Sequence, residues 1–273
     1  MDKEFESVSP TAIITSYPRI FTDIPYEKEI YSILSKDSKE VPLNKMIAPQ
    51  IEARYRLIDK MIDKYGYKQI LELAAGYSSR GLNYSLKGYN YVELDLEKVV
   101  IDKRKILNEI KEIPNNLNII EGNALDEYNV DKYFDSNKEL IVVNEGLLRY
   151  LTFEEKKKVS KNIYNLLKKY GGVWITCDLS PKANIDLDNE SNNFLKEISS
   201  ITDRNNINDR FKDLDDMNSF FNELGFEVIE VEKLISIKDE LVSVNKYNIY
   251  DKINDQVLNN SYVVVLKVRG SEV

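Results

Sequence analysis

The sequence predicts an α/β protein built on a mostly parallel seven-stranded sheet, with helices on both faces and an N-terminal helical cap. Three observations lead to this prediction. Short apolar runs alternate with amphipathic segments between residues 69 and 178, which is typical of a parallel sheet covered by helices. The first of these runs passes through small residues directly into a helix-compatible segment. The length of 273 residues suits one large domain better than two independent domains.

Residues 1–66 are interpreted as the helical cap. Five prolines in the first 50 residues limit any early helix to a short one. A helix is predicted over Ile51–Tyr65, with an apolar stripe formed by Ile51, Leu57, Ile58, Met61 and Tyr65. Arg54 falls in the middle of this stripe, whereas Arg56 falls on the opposite face. An arginine that points inward needs a carboxylate, either from a protein acid or from a bound ligand.

Residues 67–178 are interpreted as the core that carries the ligand site. The predicted strands are Gln69–Leu73, Tyr89–Leu94, Leu117–Glu121, Leu140–Asn144 and Gly172–Cys177. The predicted helices are Ser79–Leu86, Leu96–Lys111 and Thr152–Lys169. Thr152 and Glu155 form a capping box at the start of the last helix, and Gly171 follows its end. In such an alternation, ligands bind at the carboxyl ends of the strands.

Residues 179–273 are interpreted as a C-terminal half with insertions. Ser180–Asn208 is polar and is expected to carry a short helix around Phe194. A helix is predicted over Asp213–Leu224, and the last two strands over Phe226–Val231 and Tyr262–Val268. The segment Leu234–Asn260 is too long for a tight hairpin, so we expect an elaborated loop there.

The turn after the first strand indicates the kind of ligand. Gly76 allows close approach of the backbone to a ligand, and the small Ala74 keeps the turn tight. The glycines that cradle a pyrophosphate are absent, and Glu72 at the strand end suits a sulfonium and an ammonium group better than a phosphate. These features favour S-adenosylmethionine over a dinucleotide; the alternative is an ordinary strand-turn-helix.

Side chains at the ends of the next two strands complete the predicted cofactor site. Asp95 lies at the end of the second strand, where an acid accepts hydrogen bonds from both ribose hydroxyls. Glu93 shares its side of the strand and is the alternative ligand. Asn123 and Ala124 follow the third strand, where an adenine would lie, although the Asn123 side chain is equally suited to capping its own turn.

The fourth strand leads into the predicted catalytic residues. Glu145 follows this apolar strand directly and is predicted to hold the ammonium group of the cofactor or to orient the substrate. Arg149 and Tyr150 are predicted to line the substrate side. The alternative for Tyr150 is core packing against Leu147 and Leu151.

Composition narrows the chemistry. The net charge of −8 argues against a general nucleic-acid binder. The chain has no histidine, so a general base must be Asp, Glu, Lys, Tyr or water. The single cysteine, Cys177, lies in an apolar run and is expected to be a buried core residue, which leaves no disulfide framework and no zinc site. No apolar run is long enough for a membrane span and no signal peptide is evident, so a cytoplasmic location is expected.

The chain resembles the leucine carboxyl methyltransferase family in a series of ordered stretches. These stretches are Thr11-Ala12, Phe21-Thr22-Asp23, Ala53-Arg54-Tyr55-Arg56, Leu71-Glu72-Leu73-Ala74-Ala75-Gly76 with Ser79-Arg80, Glu93-Leu94-Asp95 and Glu145-Gly146-Leu147-Leu148-Arg149-Tyr150-Leu151. The resemblance implies a Rossmann-like class I methyltransferase fold. It also implies that Arg54, Gly76, Asp95 and Glu145 contact S-adenosylmethionine and that Tyr150 lies near the transferred methyl group.

Two positions depart from the pattern of the family. Ser78 stands where the family often has an aspartate in the glycine loop, and Asn123 stands where the adenine loop usually has an acid, unless Asp126 takes that role.

Together, the residues and the resemblance predict S-adenosylmethionine-dependent O-methylation of a carboxylate or hydroxyl of a small molecule or peptide, without a metal. The alternatives are a non-catalytic protein that binds S-adenosylmethionine or S-adenosylhomocysteine and, less favoured, a dinucleotide oxidoreductase.

Overall fold

The computed structural model describes residues 14–36, 44–178 and 209–270. Within these residues lie the strands β1 (Gln69–Leu73), β2 (Asn90–Asp95), β3 (Leu117–Glu121), β4 (Leu140–Asn144), β5 (Gly172–Thr176), β6 (Phe226–Lys233) and β7 (Tyr262–Val268). They form one seven-stranded sheet in the order β3-β2-β1-β4-β5-β7-β6. In this described sheet, β7 runs antiparallel to the other six strands. The predicted mostly parallel seven-stranded sheet is confirmed.

Helices cover both faces of the sheet. The described helices are α1 (Glu27–Leu34), α2 (Ala48–Tyr65), α3 (Arg80–Leu86), α4 (Glu97–Ile110), α5 (Phe153–Tyr170), α6 (Leu214–Glu223), α7 (Val242–Asn245) and α8 (Lys252–Asn259). Apolar side chains of α2, α3, α4 and α8 belong to one buried core, and those of α5 and α6 belong to the other. The predicted helical layers on both faces are confirmed.

The central strands supply both cores because successive side chains of a strand point to opposite faces. Along β4, Ile141 and Val143 enter the core under α2, whereas Val142 enters the core under α5. On that second face, the fully buried Trp174 packs edge-on against Phe221 at 5.3 Å between ring centroids. These continuous apolar strands are typical of a sheet that is buried on both faces.

Most predicted bounds agree with the structure. Strands β1, β3, β4 and β7 have the predicted limits, and β2, β5 and β6 differ by one or two residues. Helix α2 begins at Ala48, three residues earlier than predicted, with Pro49 in its first turn. The short helix expected around Phe194 lies outside the described residues.

The prediction of a loop over Leu234–Asn260 was wrong. This segment forms a 3-10 helix (Leu234–Glu240), then α7 and α8. Helix α7 starts where the carboxylate of Glu52, on α2, accepts hydrogen bonds from the backbone N–H groups of Val242 and Ser243 at 2.9 and 2.8 Å. Because this cap comes from a residue far away in the chain, local sequence pattern does not reveal it.

The strand order places a ligand site. Chain order reverses between β1 and β4, which lie side by side in the sheet. The helices that follow these two strands leave on opposite faces, so a crevice opens at the carboxyl ends of the strands.

Within the described residues, none of the helices combines the length and the apolar character that crossing a bilayer requires.

Candidate functional site

A cleft of about 570 Å³, its open mouth included, lies at this crevice. Four consecutive strands of the chain contribute to it through the residues at or just beyond their carboxyl ends: Ala74 after β1, Asp95 at the end of β2, Gly122 after β3 and Gly146 after β4. The cleft therefore occupies the position that the strand order predicts for a ligand.

The wall of the cleft, formed by residues at and beyond the ends of β2, β3 and β4, is mostly apolar. It consists of Leu94, Leu96, Ala124, Leu125, Leu147 and Leu151, in addition to Asn123 and Tyr150. The side-chain carbonyl of Asn123 accepts a hydrogen bond from the backbone N–H of Leu125 at 3.0 Å, so it caps its own turn. None of the described residues accepts a hydrogen bond from its amide N–H groups, which leaves them as donors at the cleft. Asp126 is exposed and does not line the cleft.

The turn after β1 fixes the orientation of Asp95. The backbone N–H of Gly76 donates to Asp95 Oδ2 at 2.7 Å, and that of Leu96 donates to Oδ1 at 2.8 Å. Gly76 and Ala74 both have positive φ, 53° and 52° respectively. Burial raises the pKa of Asp95, and the two backbone donors oppose that shift. The carboxylate is thus held in place with lone pairs of both oxygens still available.

A buried guanidinium organises the charges beside the cleft. Arg80 Nε donates to Asp59 at 2.9 Å, Nη2 donates to Glu145 Oε2 at 2.8 Å, and Nη1 donates to Glu72. Its guanidinium carbon also lies 4.2 Å from the centroid of the Tyr55 ring. Burial alone would lower the pKa of Arg80, but the surrounding carboxylates raise it well above its usual value. Arg80 therefore stays charged.

Glu145 lies among three arginines. In addition to its bond with Arg80, its Oε1 atom lies 3.8 Å from both Arg19 Nη2 and Arg54 Nε. Burial raises the pKa of Glu145, but these cations outweigh it and bring the pKa below its ordinary value of 4.5. Within the described residues, Glu145 Oε1 and Arg54 Nε are buried atoms that make no hydrogen bond. Such atoms are expected at a ligand site, because leaving them unsatisfied is costly.

The N-terminal segment reaches the glycine loop through a buried acid. Glu27 Oε1, on α1, accepts hydrogen bonds from both the backbone N–H and the hydroxyl of Ser79 at 2.8 Å. Its other oxygen lies 3.6 Å from Arg19 Nη1. Ser79 precedes α3, so the carboxylate lies at the positive end of that helix. The cap thereby contributes a negative charge to the loop that contains Ser78 and Ser79.

Two predicted cofactor residues lie outside the cleft. Glu72 gives one oxygen to Arg80, and its other oxygen accepts from the Tyr91 hydroxyl at 2.9 Å. Glu93 is buried 2.6 Å from Lys103 Nζ, and burial raises its pKa to about 7. A methyl group at Gly81 would stand 2.1 Å from Glu93 Oε1, so Glu93 packs under α3. The structure therefore places both acids beneath the site, where they support other residues rather than line the cleft.

The turn after β4 carries the remaining predicted residues. Residues Leu148–Tyr150 form a 3-10 turn, and Tyr150 lines the cleft. Asp178 holds this turn, because it accepts hydrogen bonds from the backbone N–H groups of Gly146, Leu147 and Leu148 at 2.6–2.9 Å. Burial raises the pKa of Tyr150, although Arg149 and Arg54 oppose the shift. Tyr150 is therefore a neutral phenol near pH 7.

The structure brings most of the predicted residues to one place. Those that line the cleft are Ala74, Asp95, Asn123, Ala124 and Tyr150. Gly76 bonds to Asp95, and Arg54 and Glu145 form the polar group next to the cleft. Four charged residues of the site were not predicted from the sequence: Arg19, Glu27, Arg80 and Asp178. Only Arg80 had a signal, because it closes the glycine-loop motif; the other three are isolated charges without a motif.

The comparisons with known proteins agree with this architecture. A family model described as leucine carboxyl methyltransferase matches residues 19–164, more than half of the chain. Comparison with curated proteins gives no match.

Solved structures share the fold at low sequence identity. A DUF574 family protein from Streptomyces avermitilis MA-4680 is 12% identical, with a TM-score of 0.59 and coverage of 93% of this chain and 96% of that one. Magnesium protoporphyrin IX methyltransferase from Synechocystis PCC 6803, solved with SAH, is also 12% identical, with a TM-score of 0.51 and coverage of 88% and 94%. A geranyl diphosphate methyltransferase in complex with GPP and sinefungin is 13% identical, with a TM-score of 0.51 and coverage of 82% and 81%. The predicted Rossmann-like methyltransferase fold is thereby confirmed.

Proposed function

The chain belongs to the leucine carboxyl methyltransferase family, whose members use S-adenosylmethionine. We propose that this protein transfers the methyl group of S-adenosylmethionine to a carboxylate oxygen of a small molecule or peptide. The cofactor supplies this methyl group as an electrophile, bound to a sulfonium. The observation that carries the proposal is a cleft at the switch point of the sheet that is lined by Asp95 and adjoins the buried Arg54–Glu145 pair.

The residues fit the three parts of the donor. Asp95 is held by Gly76 and Leu96 with lone pairs free, which suits it to accept bonds from two ribose hydroxyls. The apolar slot with the Asn123 amide suits an adenine ring, whose nitrogens accept hydrogen bonds. Arg54 would bind the carboxylate of the methionyl group, and Glu145 Oε1 would accept from its ammonium.

The charges on this side also match the donor. Four carboxylates pair with three guanidiniums. The carboxylates are Glu27, Asp59, Glu72 and Glu145, and the guanidiniums are those of Arg19, Arg54 and Arg80. Burial raises the pKa of Asp59 to about 7, so above that pH the network carries one excess negative charge. S-adenosylmethionine carries one net positive charge and S-adenosylhomocysteine carries none, so this excess favours the donor over its product.

The choice of a carboxylate as acceptor follows from the titratable groups near Tyr150. Burial raises the pKa of both Tyr150 and the Cys177 thiol, while three arginines lower the pKa of Glu145. The carboxylate of Asp178 is already occupied by three backbone donors and the Asn144 amide. Burial lowers the pKa of Lys156 to about 8, but its amine donates to the carbonyls of Leu151 and Asp209. None of these described groups is therefore suited to remove a proton from an alcohol near pH 7. A carboxylate needs no base, so catalysis would consist mainly of positioning the two reactants.

Calorimetry and a methylation assay test the proposal. We expect S-adenosylhomocysteine to bind the wild-type protein and Asp95→Asn to weaken that binding about a hundredfold, because two charge-assisted hydrogen bonds are weakened. Glu121→Gln is the matched control, since Glu121 is an exposed acid paired in register with Asp95. Its affinity should equal that of the wild type.

The acceptor is identified with radiolabelled S-adenosylmethionine and a panel of carboxylic acids, phenols and alcohols. We expect methyl esters from acids and no ethers. Ethers without esters would contradict the carboxylate acceptor and leave the methyltransferase activity in place. Binding of S-adenosylhomocysteine without any transfer to the panel or to a cell extract would favour a non-catalytic binding protein.

A further inference from the structure

A second group of charges lies next to Tyr150, and its balance is opposite to that of the donor side. Arg149 Nε lies 3.4 Å from Asp178 Oδ1 and makes no hydrogen bond within the described residues. Arg210 is half-buried, and none of the described carboxylates lies within ion-pair distance of it. Among the described residues, the two guanidiniums thus make a single ion-pair contact, that of Arg149 with Asp178, in a partly buried place where an unpaired charge is costly.

Asp178 does not neutralise this pair. Its Oδ2 atom accepts hydrogen bonds from Leu147, Leu148 and the Asn144 amide, and its Oδ1 atom accepts from Gly146 at 2.7 Å. Most of its lone pairs are therefore used to hold the turn after β4. The Arg149 contact is longer than a hydrogen bond, so the guanidinium keeps most of its donors.

The neighbours of Arg210 fix its position beside that turn. The Asp209 side chain accepts a hydrogen bond from the backbone N–H of Phe153 at 3.2 Å, and the Asp209 carbonyl accepts from Lys156 Nζ at 2.7 Å. On the other side, the buried Phe211 ring lies 5.5 Å from the Phe153 ring. Both flanking residues are thus docked on the start of α5, directly after the turn that carries Arg149 and Tyr150.

Electrostatic interactions agree with this placement. Burial, followed by repulsion from Arg149, lowers the pKa of Arg210 to about 10, and Tyr150 opposes the shift. Arg210 therefore remains protonated near pH 7. Tyr150 interacts electrostatically with Arg54 on the donor side and with both Arg149 and Arg210. The phenol of Tyr150 thus lies at the boundary between the two charge groups.

We propose that Arg149 and Arg210 bind an acidic group of the methyl acceptor other than the oxygen that is methylated. This inference rests on the proposed function. A carboxylate held between two guanidiniums has its charge neutralised and its lone pairs occupied, so it is a poor nucleophile. The methylated oxygen therefore lies on the cleft side of Tyr150, and the anchored anion lies beside the arginines. The acceptor is accordingly a molecule with two acidic groups, such as a dicarboxylate. Arg210 lies beyond the residues that the family model matches.

Calorimetry on protein saturated with S-adenosylhomocysteine tests the inference, with aliphatic and aromatic dicarboxylates and their monoamides as probes. In the wild type, we expect the best dicarboxylate to bind at least about tenfold more tightly than its monoamide, the value of one charge-assisted bond. Arg210→Gln should abolish this preference, and Arg210→Lys should keep part of it. Lys212→Gln is the matched control, because it removes an exposed cation two residues away and should change nothing.

The outcomes separate this inference from the proposed function. If S-adenosylhomocysteine binds but the wild type does not prefer dicarboxylates, or if the preference persists in Arg210→Gln, the inference is wrong and the methyltransferase assignment stands. If Arg210→Gln weakens binding of the monoamides as much as that of the dicarboxylates, the arginines hold the accepting carboxylate and the second acidic group is excluded. Failure of S-adenosylhomocysteine to bind the wild type contradicts the proposed function instead. Equal thermal unfolding of the variants excludes misfolding as a cause.

Discussion

The buried guanidiniums on the two sides of Tyr150 differ in how many carboxylate partners they have. On the donor side, each guanidinium lies near at least one carboxylate, and Arg80 contacts three acids at once. On the other side, among the described residues, Arg149 has one carboxylate neighbour, Asp178, which is already bonded to the backbone, and Arg210 has none within ion-pair distance. Removing one partner from a network of paired buried charges is costly, whereas an unbalanced pair of cations is typical of a place that binds an anion. The comparison therefore contrasts charges that are mostly paired within the fold with charges that keep most of their binding capacity.

The largest expected effect is a loss of stability when Arg80 is removed from the network of paired charges. Arg80→Met leaves Asp59, Glu72 and Glu145 without their shared cation in a buried place, so we expect a loss of about 3–5 kcal/mol in the free energy of unfolding. Urea denaturation measures this loss. Arg210→Gln provides the contrast, because removal of an unbalanced cation should change stability by about 1 kcal/mol or less. Similar losses in the two variants would refute the distinction between the two sides.

The next effect separates the parts of the donor site. Arg54→Gln should weaken S-adenosylhomocysteine binding about tenfold to a hundredfold, because a charge-assisted contact to the methionyl carboxylate is lost. The same substitution should leave the affinity for 5′-methylthioadenosine unchanged, since that molecule has no amino-acid group. Asp95→Asn should weaken both ligands. An equal loss for both ligands in Arg54→Gln would show that Arg54 acts on the fold and not on the amino-acid group.

Acid should remove the contribution of Glu145. Its pKa lies below the ordinary value of 4.5 because the arginines outweigh burial, so its contribution to stability is present above pH 4.5 and is lost as pH falls through the folded-state pKa. We expect the wild type to be more stable than Glu145→Gln at pH 7 and the difference to shrink below pH 4.5. Urea denaturation over this range provides the measurement. A gap that stays constant with pH would contradict the ion-pair network around Glu145.

The smallest effect concerns the backbone of the turn after β1. Ala74 has φ of 52°, a left-handed conformation that costs an L-residue about 1–2 kcal/mol. Ala74→Gly removes this strain but adds freedom to the unfolded chain, so we expect a net gain in stability of about 1 kcal/mol or less. Ala75→Gly is the control, because Ala75 does not have positive φ and the same change should destabilise. Destabilisation by both substitutions would show that the Ala74 conformation is not strained.

The sequence was sufficient to predict the sheet and most of the donor side. Continuous apolar strands such as Leu140–Asn144 have sharp limits, and the capping box of Thr152 with Glu155 is present as predicted. The inward direction of Arg54 followed from helical periodicity, and the structure places the guanidinium near Glu145. These features depend on local pattern, which is why they could be derived without coordinates.

Long-range contacts explain what the sequence did not reveal. The start of α7 depends on Glu52, and the loop before α3 is capped by Glu27 on α1, 52 residues away from Ser79. Glu72 was predicted to contact the cofactor because it lies at the end of a strand. In the structure, its two oxygens accept hydrogen bonds from Arg80 and Tyr91 instead. Arg210 follows a polar segment with no motif. Pairing between distant charges is determined by tertiary packing, so the hydrophobic periodicity of the sequence cannot predict it.

The single cysteine of the chain gives the folded protein a built-in reporter. Cys177 directly follows β5 and is 1% exposed, and burial raises the pKa of its thiol. Alkylating reagents attack the exposed thiolate, so both the burial and the raised pKa protect the thiol in the folded protein. The labelling rate of the wild-type chain by such a reagent therefore measures how often the carboxyl end of β5, beside the candidate site, opens, with no engineered probe and no background signal from a second thiol.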